Sequence, residues 1–177
     1  MGNIDFVTVN PYLGIDGVKP FIEDCKKYNK GIFVLVKTSN PSSGELQDLK
    51  LEDGKTIYAK VAELVNSWGE ELIGEYGYSS ISSVVGATYR EQLEELRKIM
   101  PHSYFLIPGY GAQGGKAEDI ALGFKNGIGG IVNSSRGLMC AYKSDRWKEK
   151  YSEEQFAEAT RAEAIRMRED LNQAIQK

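Results

Sequence analysis

Short apolar and β-branched runs alternate along the whole chain with stretches whose apolar positions recur every three or four residues. The runs Phe6 to Asn10, Gly31 to Lys37, Ile81 to Thr88, Ser103 to Pro108 and Gly129 to Asn133 predict strands. Each is nearly continuous in apolar character, the pattern of a strand buried on both faces. Between them the spacing predicts helices over Gly17 to Tyr28, Lys55 to Ile73, Tyr89 to Met100 and Lys116 to Asn126, with a last one from Ser152 to Ile175. Ser152 followed three residues later by Gln155 is a capping-box signature for the start of that last helix. Its later apolar positions, Ala164, Met167, Leu171 and Ile175, share a face that reads as core packing. The stretch Asn40 to Gly54 shows no period, is longer than an ordinary connection and reads as a surface loop or lid.

Repeated strand-helix units imply right-handed crossovers and a parallel sheet. Pattern alone leaves two α/β architectures, an open doubly wound sheet or part of a closed barrel. Composition narrows the partners more than the fold. The chain has 177 residues, 41% hydrophobic and 27% charged, with a net charge of -3 and both signs interspersed. That length suits one domain, 1–177, with a real core. The mild acidity, with no basic face, argues against a nucleic-acid partner. No run reaches the roughly 18 apolar residues of a membrane span, and the N-terminus lacks the pattern of a signal peptide. Cys25 and Cys140 read as reduced thiols of a cytoplasmic protein. The single histidine, His102, makes a multi-histidine metal site or histidine-based triad improbable and fits local capping or packing.

Polar chemistry gathers where strands end. The strand interiors stay apolar, then give way to Asn10-Pro11-Tyr12-Leu13-Gly14, Lys37-Thr38-Ser39-Asn40-Pro41, Gly86-Ala87-Thr88, Pro108 to Gly115, and Asn133-Ser134-Ser135-Arg136-Gly137. Active sites of parallel α/β folds lie at the C-terminal ends of strands, so one shared site is expected there. Glycines in the last two loops let the backbone come close to a ligand, and Arg136 offers a planar fork matched to phosphate oxygens. Two such loops in succession resemble the phosphate site after strands seven and eight of a (β/α)8 barrel. Counting back from there makes these strands four to eight. A complete barrel needs about 200 residues or more, so strands one to three are expected upstream and the chain reads as an incomplete barrel.

Five motifs carry a resemblance: Val-Thr-Val-Asn-Pro-Tyr-Leu-Gly (7–14), Phe-Val-Leu-Val-Lys-Thr-Ser-Asn-Pro (33–41), Val-Val-Gly-Ala-Thr (84–88), Ile-Pro-Gly-Tyr-Gly-Ala-Gln-Gly-Gly (107–115) and Ile-Val-Asn-Ser-Ser-Arg-Gly (131–137). Together they resemble orotidine 5′-phosphate decarboxylase, in its longer bacterial subgroup. The resemblance implies a homodimeric (β/α)8 barrel of de novo pyrimidine biosynthesis that converts orotidine 5′-phosphate to UMP and CO2 with no cofactor and no metal. It implies that a lysine ammonium held between aspartates stabilises the carbanion left on the ring and then protonates it. Carried over residue by residue, Ser39 contacts the pyrimidine and Pro108 lines the base pocket. Gln113 reaches between phosphate and base, Arg136 binds the phosphate, and the backbone of Ser135 and Gly137 supplies N–H groups. Asn10 stands at a strand end facing the pocket.

The family's catalytic Asp-x-Lys-x-x-Asp motif belongs just before the segment matched by Val7 to Gly14, which places it upstream of Met1. No catalytic residue is therefore expected among these 177, and the chain alone is expected to be inactive. Asp48-Leu49-Lys50-Leu51-Glu52-Asp53 has that spacing but sits in the stretch after the second strand, and reads as a chance match in a solvated charge run. Two other readings remain open at this point. One is a non-catalytic nucleotide-phosphate-binding fragment. The other is a Schiff-base aldolase-like barrel enzyme with Lys37 as nucleophile.

Overall fold

A computed structural model describes residues 4–87, 90–111 and 114–176. The strands are β1 (Phe6–Val9), β2 (Gly31–Lys37), β3 (Ser79–Val85), β4 (Ser103–Pro108) and β5 (Gly130–Asn133). The helices are α1 (Ile15–Tyr28), α2 (Gly44–Gln47), α3 (Ile57–Gly69), α4 (Arg90–Ile99), α5 (Ala117–Ile120), α6 (Ser135–Met139) and α7 (Phe156–Ile175). All strands join one sheet in the order β1-β2-β3-β4-β5, and every pairing is parallel. A doubly wound sheet reverses its strand order at a switch point, whereas a barrel wall keeps each strand beside its neighbour in sequence. The observed order is that of a barrel wall. β1 and β5 are its outer strands, and Phe6 (41% exposed) and Ile131 (48%) leave apolar surface on them.

The core lies between the sheet and its helices. Ile32, Val34 and Val36 of β2, Ile81 and Val85 of β3, and Phe105 and Ile107 of β4 form one apolar cluster with Val18 and Ile22 of α1, Ala62 and Val65 of α3, and Leu93 and Leu96 of α4. Met167 and Leu171 of α7 join the same cluster. The capping box forms as expected, with Ser152 and Gln155 closing reciprocally on the 3₁₀ turn that leads into α7. Ala164, however, is exposed, because the buried stripe of α7 runs through Ala159, Met167 and Leu171.

Other departures from the sequence reading have identifiable causes. β3 begins at Ser79, two residues early, and ends at Val85, while Thr88 lies outside the described residues. Its buried serines stand in place of apolar residues because each hydroxyl is satisfied: Ser79 Oγ donates to the Gly69 carbonyl (2.8 Å), and the Ser83 and Ser103 hydroxyls share a bond (2.7 Å). The stretch Asn40 to Gly54 is not irregular throughout, since Pro41–Ser43 forms a 3₁₀ turn that runs into α2. His102 acts locally, its Nδ1 bonding the Gly77 carbonyl at 2.9 Å. Cys25 is buried, Cys140 is exposed, and neither is in a disulfide. No helix among the described residues is long and apolar enough to cross a membrane.

Two polar contacts secure the helix layer. Arg97 of α4 donates to the carbonyls of Met100, Ser103, Gly123 and Gly129, and its guanidinium stacks 3.6 Å from the centre of the Phe105 ring. Tyr58 of α3 is buried and donates to Glu95 of α4 at 2.7 Å. Burial first, and that bond second, push the Tyr58 phenol up from 10.0 to about 12. A raised folded-state pKa gives stability that is present below the unfolded value and is lost as pH rises through the folded one. Urea midpoints are therefore expected to fall between pH 10 and about 12, and Tyr58→Phe is expected to flatten that fall; an equally steep fall in the variant would contradict it.

Candidate functional site

The loops after β4 and β5 meet at the C-terminal end of the sheet and enclose a cleft of about 100 Å³ lined by Pro108, Gly109, Tyr110, Asn133, Ser134, Ser135 and Arg136. That volume suits a small group rather than a whole drug-sized ligand, whose pockets measure about 300–1,000 Å³. The two loops are tied directly, with Ser134 Oγ donating to the Tyr110 carbonyl at 3.0 Å. After β4 the chain folds back on itself through Gly111 N to the Gly115 carbonyl (3.0 Å) and Gly115 N to the Gly109 carbonyl (3.2 Å). A side chain at Gly115 would place its Cβ 2.8 Å from the Ala87 Cβ and 2.9 Å from the Gly109 carbonyl oxygen, so this packing requires glycine. Arg136 is exposed at the cleft rim, on the first turn of α6.

Of the residues expected at the site, Pro108, Ser135 and Arg136 line this cleft and Gly137 follows them on α6. Ser39 stands half-buried after β2, hard against the end of β3, where a Cβ on Gly86 would lie 2.9 Å from its own Cβ. Asn10 follows β1 at the far edge of the sheet, where its Oδ1 accepts from Tyr12 N at 3.0 Å and shapes the turn into α1. Gln113 lies outside the described residues. So does Met1, the position upstream of which the catalytic Asp-x-Lys-x-x-Asp motif is expected.

Lys37, at the end of β2, is 1% exposed. Its ammonium donates to Asp48 Oδ1 at 2.7 Å and to Ser43 Oγ at 3.3 Å, and stands 5.6 Å from the centre of the Tyr58 ring. The segment that carries Asp48 is docked by a second contact. Thr38 N donates to Gln47 Oε1 (3.0 Å) and Gln47 Nε2 donates to Thr38 Oγ1 (2.8 Å). Asp48 is therefore a partner of Lys37 rather than part of an idle charge run, while Asp53 accepts from Lys55 N at 3.0 Å. Among the described residues neither carboxylate pairs with the exposed Lys50. Asp48→Asn is expected to lower stability by about 1–2 kcal/mol, less than a fully buried pair because Asp48 is half-exposed, and Lys50→Ala to leave the urea midpoint unchanged. Equal effects from the two would contradict this assignment.

Three residues of the cleft are not singled out by sequence reasoning. Ser134 is buried and ties the loops together. Asn133 presents a buried Oδ1 with no hydrogen-bond partner among the described residues. Tyr110 is 4% exposed, and its hydroxyl donates to Asp170 of α7. The signal available for Tyr110 is a large aromatic residue set among glycines, which flexible turn chemistry alone does not require.

The model of the orotidine 5′-phosphate decarboxylase / HUMPS family matches residues 2–147. The chain is 47% identical over 171 residues to the orotidine 5′-phosphate decarboxylase of Clostridium tetani, covering 97% of this chain and 58% of that protein. It is 51% identical over 168 residues to the one of Rhodopirellula baltica, covering 94% of this chain and 55% of the other. The chain thus spans little more than half the length of these relatives. Among solved structures it is similar to Leishmania donovani OMP decarboxylase, with a TM-score of 0.71 at 29% identity, covering 99% of this chain and 59% of that one.

Proposed function

Because the chain belongs to the orotidine 5′-phosphate decarboxylase / HUMPS family, we propose that it forms the phosphate and pyrimidine side of an enzyme converting orotidine 5′-phosphate to UMP and CO2. The observation that carries this reading is the cleft where Pro108, Ser135 and Arg136 meet. In it, Arg136 and the amide groups of Ser135 and Gly137 take the phosphate. Pro108 and Ser39 face the pyrimidine, and Gln113 reaches between the two. Asn10 belongs to the same set, with the least direct part.

The phosphate is remote from the carbon that loses CO2. Its binding energy therefore serves to hold and orient the nucleotide rather than to break the bond. Loss of the carboxylate leaves an electron pair on the ring carbon, and a positioned ammonium stabilises it and then delivers the proton. In this proposal that ammonium and its flanking carboxylates come from the part of the relatives' length that this chain does not span. Homodimeric assembly, a single domain and action without a cofactor belong to the same reading. The aldolase alternative finds no support in the geometry, because a Schiff base needs a neutral amine and the Lys37 nitrogen is engaged by Asp48 and Ser43.

Calorimetric titration with UMP, uridine and inorganic phosphate tests the binding half of the proposal. UMP is expected to bind at least about tenfold more tightly than uridine, since charge-assisted bonds to the phosphate contribute about 1.5–3 kcal/mol each. Equal affinities for UMP and uridine would overturn it.

A further inference from the structure

The two walls of the cleft are each attached to the same outer helix. On one wall, the Tyr110 hydroxyl donates to Asp170 of α7 and receives a bond from Arg166 Nη2 at 3.2 Å. Arg166 is itself held by Glu163, through bonds of 2.6 and 2.9 Å, and stands 3.7 Å from Asp170. On the other wall, Thr160 of α7 donates to the Leu138 carbonyl of α6 at 2.8 Å. Thr160 and Asp170 are ten positions apart on one continuous helix, a rod of about 15 Å that fixes the two attachment points relative to each other. Asp170, Arg166 and Thr160 stand outside the cleft lining, whereas Tyr110 belongs to it and its carbonyl also receives the Ser134 hydroxyl.

We propose that Tyr110, Asp170 and Arg166 are positioning residues that couple α7 to the anion cleft and set the spacing between its two walls. The inference rests on the phosphate reading above. A phenol inside a glycine-rich loop has one side-chain hydrogen-bonding group, and here it is spent on a helix whose first residue lies about 46 positions further along the chain rather than on local turn geometry. Burial, then the bond to Asp170, push the Tyr110 phenol upward, so it stays a neutral donor at neutral pH. With the loop pinned, the cleft is formed before an anion arrives, and binding need not supply the free energy of ordering it.

The test compares UMP with uridine on Tyr110→Phe, Asp170→Ala and the double variant, with Arg136→Ala as a separate control. Each single variant is expected to weaken UMP about tenfold, the equivalent of one hydrogen bond, and to leave uridine unchanged. The double variant is expected to lose no more than either single one, because both cut the same connection. Unaltered UMP binding would overturn the proposal, as would equal weakening of UMP and uridine, which marks general loosening. If Arg136→Ala keeps the preference for UMP, the phosphate reading itself fails. If Arg136→Ala loses that preference and the Tyr110 and Asp170 variants keep it, only the positioning role fails. Asp170 is half-exposed, so its variant carries the comparison should Tyr110→Phe not fold.

Discussion

Arg97→Leu is expected to lower unfolding free energy by about 3–5 kcal/mol. The guanidinium serves four main-chain carbonyls, from Met100 and Ser103 around the start of β4 and from Gly123 and Gly129 before β5. Leucine fills some of the volume and provides no donor. A buried carbonyl left with no donor costs about 1–3 kcal/mol, although Ser103 N and Phe105 N still bond the Met100 and Gly129 carbonyls; the stacking on Phe105 adds about 2 kcal/mol where it is desolvated. Burial pushes the Arg97 guanidinium down to about 10, which still leaves it protonated at neutral pH. Lysine is not a conservative replacement, because one ammonium cannot reproduce a planar fork aimed at four acceptors. Urea unfolding followed by circular dichroism decides this, and a loss below about 1 kcal/mol would show that the carbonyls find other donors.

The second large effect concerns the ligand. Arg136→Ala is expected to weaken UMP by about 10- to 100-fold while uridine binding and the urea midpoint stay unchanged. Arg136 is exposed at the cleft rim, so its removal opens no cavity. Arg136→Lys should recover part of the loss, since it restores charge without the bidentate fork. Retention of full UMP affinity by the alanine variant would place the anion elsewhere.

The parallel sheet is legible in the sequence because its strands are nearly continuous apolar runs with sharp polar ends. Gly31–Lys37 and Ser103–Pro108 agree at both boundaries. The start of β3 at Ser79 is hidden, because a buried serine looks like a loop residue until the carbonyl it bonds, ten positions away on Gly69, is known. The 41–48 segment is equally opaque. Its helix is short, and its docking depends on Lys37 and Thr38 rather than on any period of its own. At the site, Pro108, Ser135 and Arg136 can be named from glycine-rich loops, an arginine and a family resemblance, and the family match bears that resemblance out. The contribution of α7 cannot, because the bond from Tyr110 to Asp170 spans 60 positions that no local pattern connects.

The most direct measurement is the loss of orotidine 5′-phosphate absorbance with this chain alone and with the chain joined behind the preceding segment of the Clostridium tetani relative, of which it matches 58%. The expected result is no turnover by the chain alone, and turnover in the joined protein that Arg136→Ala greatly reduces. Turnover by the chain alone, or a folded joined protein that binds UMP but leaves orotidine 5′-phosphate unchanged, would contradict it.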